Sequence, residues 1–449
     1  MVICDLLSSL IPYLMVIMLA ASLAVLLIRF CAEPFAGDDG LRGRLGKLLM
    51  PSRHAEEAPK RNIHSGGREK QSLRSLMNNS ISFFSLIFLS RMVLLAVPVI
   101  SCLFTGNLSK LFTDAILHWV RSDTGTYLNL ARYNYETLPN LIHLLPLYPL
   151  AVKFVSIFTF GHYTLAGFIV SNCCLFGATW ALYLLVVEQY GCNKAGRAVV
   201  FFLFSPLSIF FSVPCAESMF LMLTMFSILA ARDGRYLLSG ILGLLASLTR
   251  LEGVLTLIPV LESILVSVRS ERQNNRNPVG IRKRLMKRLA WSLLIPAGTV
   301  LYLLLNIHIT GSPFGFIGVL KNEMSQGIGS IWETESYSIR HAFTYSDITW
   351  RLGTWIPQAI AIFAAVLMVL CNCTKARSGD GLYALCYLLM TLLFTWVLNG
   401  TRMVLCMYPT YIMLADFMDT RKKRDVILTI SLILMCFFSY MYAICGTVM

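Results

Sequence analysis

Six charged residues stand where a strongly apolar chain has least reason to keep them: Arg91, Asp123, Glu217, Arg250, Glu252 and Arg402. Asp123 lies in "RSDTGTYLNLARYNY" (121–135), ahead of Tyr127, Leu130, Ala131 and Tyr135 at helical i, i+3, i+4 spacing. An acid there caps a helix. It is equally a carboxylate at a membrane–water boundary, able to take a proton from a hydroxyl or to hold a divalent cation. No other cofactor is indicated. Arg91 falls inside the apolar run "IFLSRMVLLAV", where an unpaired arginine costs about 2.5–3.5 kcal/mol on insertion scales. It either snorkels to headgroups or faces inward to hold a carboxylate or phosphate. Glu217 follows "SVPCA" and opens an apolar run, so it complements a helix dipole or projects into a cavity. Arg250 and Glu252, in "SLTRLEGVL", and Arg402, in "NGTRMVLCMYP", interrupt apolar segments. They are polar turn tips or, for the arginines, grips that hold a phosphate by two parallel hydrogen bonds.

The elements that must position these residues are membrane helices. The chain has 449 residues, 56% of them hydrophobic and only 14% charged, against about 25% in soluble domains. Apolar runs near the length of a bilayer crossing recur from end to end, which leaves no room for a sizeable soluble domain. The net charge of +14 sits in short loops between them. That pattern orients a membrane protein and excludes nucleic-acid binding as its purpose. Thirteen cysteines lie mostly inside apolar runs without zinc-like spacing, so they read as packing residues. The first run, about 10–27, lacks a preceding basic region and a small-residue cleavage site, and reads as a retained helix.

Basic blocks at 31–79, near 231, at 269–288, near 375 and at 421–424 are assigned to the cytoplasm. Spans near 80–104, 164–187, 198–213, 215–231, 236–250, 252–268, 289–308, 352–372, 381–398, 403–418 and 426–446 then alternate, making about twelve with the first run. This division gives an N-terminal helix plus basic loop (1–79), a main helical body (80–420) and a last helix (421–449). It places 105–163, the turn near 214, the turn near 250, 309–351 and 398–402 on the outer side. The stretch 141–160, with His143, Pro146, Pro149 and Lys153, must lie on that surface or re-enter. Segment 309–351, Gly-rich and aromatic, is expected to form interfacial amphipathic helices or an inert loop. No internal repeat of the kind that builds many transporters is present.

In order, "SDTGTYLNLARYNY", "LPLYPL" (145–150), "FSPLSIFFSVPCAESMF" (204–220), "ASLTRLEG" (246–253), "GSPFGF" (311–316) and "TRMVLCMYP" (401–409) resemble the motifs of an integral-membrane mannosyltransferase family. It is the PIG-V-like family, typified by the second mannosyltransferase of GPI-anchor synthesis, and the likeness is strongest to its bacterial relatives. The chain departs from the family pattern at Ser122, where the family has Trp, at Asn134, where it has Gly, and at Arg402-Met403, where it has Arg-Tyr. The resemblance implies an all-α GT-C bundle and an enzyme that moves a sugar, mannose first among them, from a polyprenyl-phosphate donor. The acceptor is a lipid or glycan on the extracytoplasmic face. It further implies a multi-pass protein of a bacterial plasma membrane, or of the endoplasmic reticulum in a eukaryote. Asp123 would be the catalytic acid, and Tyr127, Tyr135, Tyr148, Glu217 and Glu252 would line the cavity. Charge and side make Arg250, Arg402 and Arg91 the candidates for the donor phosphate. The rival expectation is a multi-pass transporter or lipid flippase with no transferase activity.

Overall fold

Proline, glycine and charge cut the apolar runs into helices and decide where each one stops. The computed structural model describes residues 2–32, 83–97, 99–100, 119–121, 123–274, 278–397, 399–445 and 448. Most of the expected basic loop 31–79, the far part of the expected span 80–104, and Ser122 lie outside these residues. Among the described residues every regular element is helical, apart from one isolated bridge between Ile328 and Phe394.

The chain begins with α1 (Val2–Ala32), α2 (Phe83–Val97), α3 (Asp123–Thr137), α4 (Leu147–Phe158), α5 (Tyr163–Tyr190) and α6 (Cys192–Leu203). It continues through α7 (Glu217–Arg232), α8 (Tyr236–Thr249), α9 (Leu257–Gln273), α10 (Pro278–Ser292), α11 (Leu294–Thr310), α12 (Gly315–Met324) and α13 (Ile331–Thr344). It ends with α14 (Ile356–Asn372), α15 (Ser378–Thr391), α16 (Gly400–Leu405), α17 (Pro409–Phe417) and α18 (Arg421–Tyr440). Among the described residues six stretches are long and apolar enough to cross a bilayer: Cys4–Cys31, Tyr163–Tyr190, Leu251–Gln273, Pro278–Thr310, Ile348–Asn372 and Arg421–Ala443. The chain is an α-helical membrane protein.

Several of the expected spans are shorter or interrupted. The run expected at 198–213 stops at Leu203, and the chain turns through a 3-10 segment, Ser208–Phe211, between Pro206 and Pro214. Proline lacks the N–H that a continuing helix needs and restricts the residue before it. The run at 381–398 ends at Thr391, and that at 403–418 breaks between α16 and α17, where Pro409 starts a new helix. The ambiguous stretch 141–160 becomes α4, whose 12 residues rise only about 18 Å. That is too short to span. Its outer face, Leu150, Phe154 and Ile157, is exposed.

Lipid gives helices no hydrophobic reason to associate, so close packing at small residues takes over. A Cβ on Gly298 of α11 would stand 2.4 Å from the Leu244 carbonyl oxygen of α8. Only glycine lets those two backbones approach so closely.

Charge separates the two ends of the bundle. Helix α7 runs from Glu217 to Arg232, α8 returns, and α9 runs out again to Gln273. At the Arg232 end, Arg232 meets Asp380 at 3.4 Å, Arg377 meets Glu262 at 2.9 Å and Lys194 meets Asp416 at 2.5 Å. This is the end expected to be cytoplasmic. At the other end lie α12 and α13, so segment 309–351 is helical. Ser330 and Glu333 form a reciprocal cap at the start of α13. Tyr337, His341 and Trp355 pack as an aromatic cluster there, with the Tyr337 and His341 rings stacked at 3.9 Å.

Candidate functional site

Two helices open with an acid, and both acids point to one arginine. Asp123 is the first residue of α3 and Glu217 the first of α7, positions where the helix dipole favours negative charge. The Arg402 guanidinium donates through Nη1 to Asp123 Oδ2 at 2.6 Å, through Nε to Glu217 Oε1 at 3.1 Å and through Nη2 to the same Glu217 oxygen at 2.5 Å. It also sits 4.3 Å above the Phe210 ring. Arg402 and Glu217 are buried, with side-chain exposures of 4% and 1%, whereas that of Asp123 is 37%. Asp123 is therefore the carboxylate of the pair that solvent or a ligand reaches.

Helix α16, only six residues long, cannot hold Arg402 by itself. Gln358 of α14 pins it: its side-chain oxygen accepts from the Gly400 N–H at 2.9 Å, and its amide donates to the Ser338 hydroxyl of α13 and to the Val397 carbonyl.

The second arginine completes the cluster. Arg250 ends α8 in extended conformation and lies 3.5 Å from Glu217 and 3.4 Å from Glu252. It also donates to the Met403 sulfur. The turn that presents it needs Gly253, since a Cβ there would come within 2.4 Å of the Ala246 backbone. Asp123, Glu217, Arg250, Glu252 and Arg402, spread over nearly 280 positions of sequence, thus meet at one end of the bundle. Three carboxylates face two guanidiniums.

The aromatic candidates divide by their hydroxyls. Tyr127 is buried within electrostatic reach of Glu217, Arg250 and Asp123, and its ring packs edge-on against Tyr148 at 5.2 Å. Tyr148 is fully buried; its hydroxyl lies 3.2 Å from the Gly167 carbonyl, to which it donates, and 2.8 Å from the Ser171 hydroxyl, so it braces Tyr127 from behind. Tyr135 donates to the Leu144 carbonyl at 2.7 Å and closes the loop between α3 and α4. Arg91 does not join the cluster. Its guanidinium is spent on the Ser208 and Leu203 carbonyls, both at 2.8 Å, and on the Ser212 hydroxyl at 2.9 Å. The inward-facing arginine thus meets backbone carbonyls of the broken 204–216 segment where a carboxylate or phosphate was expected.

The donor set does not fit a resident cation. Asp123 and Glu217 are already bridged by a positive group, and among the described residues no three His, Cys, Asp or Glu side chains stand together as ligands.

Sequence reasoning gave no site role to several neighbours, and the structure adds detail to one it did name, Glu217. Cys215 lies 3.8 Å from Arg402. Glu217 Oε2 and the hydroxyls of Tyr383 and Tyr387 are buried with no hydrogen-bond partner, and both tyrosines feel the charge of Glu252. Burial holds the His143 imidazole below the usual histidine range, against smaller upward pulls from the Asn140 carbonyl and the Asp123 charge. A lone histidine beside "LPLYPL" was the one signal available for it.

Comparison of the chain with protein-family models, curated proteins and solved structures returned no match.

Proposed function

We propose that the cluster is the active site of a membrane glycosyltransferase, in first place a mannosyltransferase of the GT-C kind, that uses a polyprenyl-phosphate-linked sugar. The observation that carries this reading is Arg402 bridging a partly open Asp123 and a buried Glu217. A lipid-linked donor keeps its tail in hydrocarbon and brings its sugar–phosphate bond to the boundary where these residues gather. In the resting site Arg402 is shared between two carboxylates. A donor phosphate competes for its outward Nη1, and the Asp123 carboxylate is released as Arg402 turns to the phosphate. Asp123 then takes the proton from the acceptor hydroxyl while that oxygen bonds to the anomeric carbon. The bond from that carbon to the phosphate oxygen breaks, and polyprenyl phosphate leaves held by Arg402 and Arg250. Buried Glu217 keeps both arginines in place. The unpartnered hydroxyls of Tyr383 and Tyr387 are groups that sugar hydroxyls could satisfy.

The broken helices at 204–216, 251–256 and 406–408 support a second reading, because transporters build mid-bundle sites from interrupted helices. One experiment separates the two. Purified protein is incubated with polyprenyl-phosphate-mannose and a membrane lipid extract, wild type beside Asp123→Asn. Labelled sugar appearing in a new lipid or glycan with wild type, and reduced about 10²–10⁴-fold in the variant, is the expected result. Passage of intact donor across a vesicle membrane with no new product would overturn it in favour of the transporter.

A further inference from the structure

The opposite end of the bundle carries a groove that the proposed reaction does not use. It has a volume of about 480 Å³ and lies between the start of α8 and the second half of α10. Four cations line it: Arg235, Arg284, Lys287 and Arg288. A single carboxylate, Glu271 of α9, serves two of them, meeting Arg284 at 3.0 Å and Arg288 at 2.5 Å. No ion pair to Arg235 or Lys287 is found among the described residues, and Arg288 Nη1 is buried without a hydrogen-bond partner. The walls are amphipathic. Tyr236 lies under the Arg288 guanidinium at 5.2 Å, Trp291 also lines the groove, and Leu237 and Leu238 are both nearly half exposed beside it. Beside the groove α8 and α10 meet closely, since a Cβ on Gly240 would stand 2.2 Å from the Trp291 carbonyl oxygen.

We infer that this groove binds the headgroup of an anionic phospholipid from the surrounding leaflet. The cations supply charge for a phosphate. Tyr236 and Trp291 have the amphipathic rings found at headgroup depth, and the exposed leucines continue toward the acyl chains. A soluble phosphate would have no use for that leucine surface, so the lipid is the occupant chosen. The inference is independent of the chemistry at Asp123.

The test uses the full chain purified in detergent and titrated separately with phosphatidylglycerol and phosphatidylcholine, with bound lipid counted by native mass spectrometry. Wild type retains phosphatidylglycerol at least ten-fold better than phosphatidylcholine. The double variant Arg284→Gln/Lys287→Gln, with unfolding temperature within a few degrees of wild type, loses roughly 30-fold in phosphatidylglycerol affinity, given the energy of two juxtamembrane cations. Arg421→Gln/Lys422→Gln, which removes two cations elsewhere on the same rim, leaves binding unchanged. Equal retention of both lipids, or equal losses from the two double variants, overturns the built groove. Displacement of the lipid by millimolar inorganic phosphate assigns the site to free phosphate and overturns the lipid.

Discussion

Arg402 decides the electrostatics of the cluster because its planar guanidinium reaches Asp123 and Glu217 at once. Lysine has no such fork. Arg402→Lys is therefore expected to cut sugar transfer at least 100-fold while the protein still purifies as a folded species, as read by size-exclusion profile and unfolding temperature. Removing the cation altogether, as in Arg402→Ala, leaves buried Glu217 with only its 3.5 Å contact to Arg250 and lowers stability by about 3–5 kcal/mol. Glu335 of α13 supplies a separate prediction. Burial pushes its carboxyl up to about 8, and neither oxygen has a hydrogen-bond partner. Its ordinary value is 4.5, so between these two values the unfolded chain has lost a proton that the folded chain keeps. Stability must fall as pH rises from 5 to 8. Glu335→Gln should flatten that decline and raise the unfolding temperature at pH 8; an unchanged profile would remove Glu335 as its cause. The five clustered charges were visible in sequence because each interrupts an apolar run. Arg91 looked equivalent, since sequence reveals the cost of burying an arginine but not whether carbonyls or carboxylates meet it. The same holds for Tyr135 and Tyr148, whose hydroxyls found backbone or serine partners.

Among the elements, α3 carries the most informative strain. Asn134 adopts φ 63 and ψ 171, a region that belongs almost entirely to glycine, and its side chain accepts from Lys153 at 2.7 Å. Asn134→Gly should relieve about 1 kcal/mol, observable as a small rise in unfolding temperature, because the lost bond to Lys153 is solvent-exposed. A marked drop would show that this bond sets the kink. Gln358 poses the complementary case. Gln358→Ala should reduce transfer more than stability, since it frees the short helix α16 that carries Arg402. Helix existence was readable from the apolar runs, whereas the Gly-rich, aromatic composition of 309–351 left interfacial helices and an inert loop equally open. The breaks were readable only in part: turns near 214 and 250 were expected, but averaging hydropathy over a span hides Pro206 and Pro409, and says nothing of the 3-10 form of Ser208–Phe211 and Leu251–Thr256.

Across the described residues of the molecule, the basic blocks near 231, at 278–288, near 375 and at 421–424 lie at the end of the bundle opposite the carboxylate–arginine cluster, the arrangement expected from the loop charges. In a cysteine-free background of intact cells, a membrane-impermeant maleimide should label Asp347→Cys at the cluster end and should fail to label Cys192 restored at the basic end. The reverse labelling would put the cluster inside the cell. What sequence could not supply at this scale was the meeting of residues nearly 280 positions apart, because that depends on how broken helices stack. The central claim is that Arg402 passes from Asp123 to a donor phosphate, leaving Asp123 to act as base. The most direct measurement pairs donor binding with transfer in Asp123→Asn. The account predicts that the variant binds polyprenyl-phosphate-mannose at least as tightly as wild type and transfers under about 1% as fast. Transfer at the wild-type rate, or loss of binding in step with loss of transfer, would contradict it.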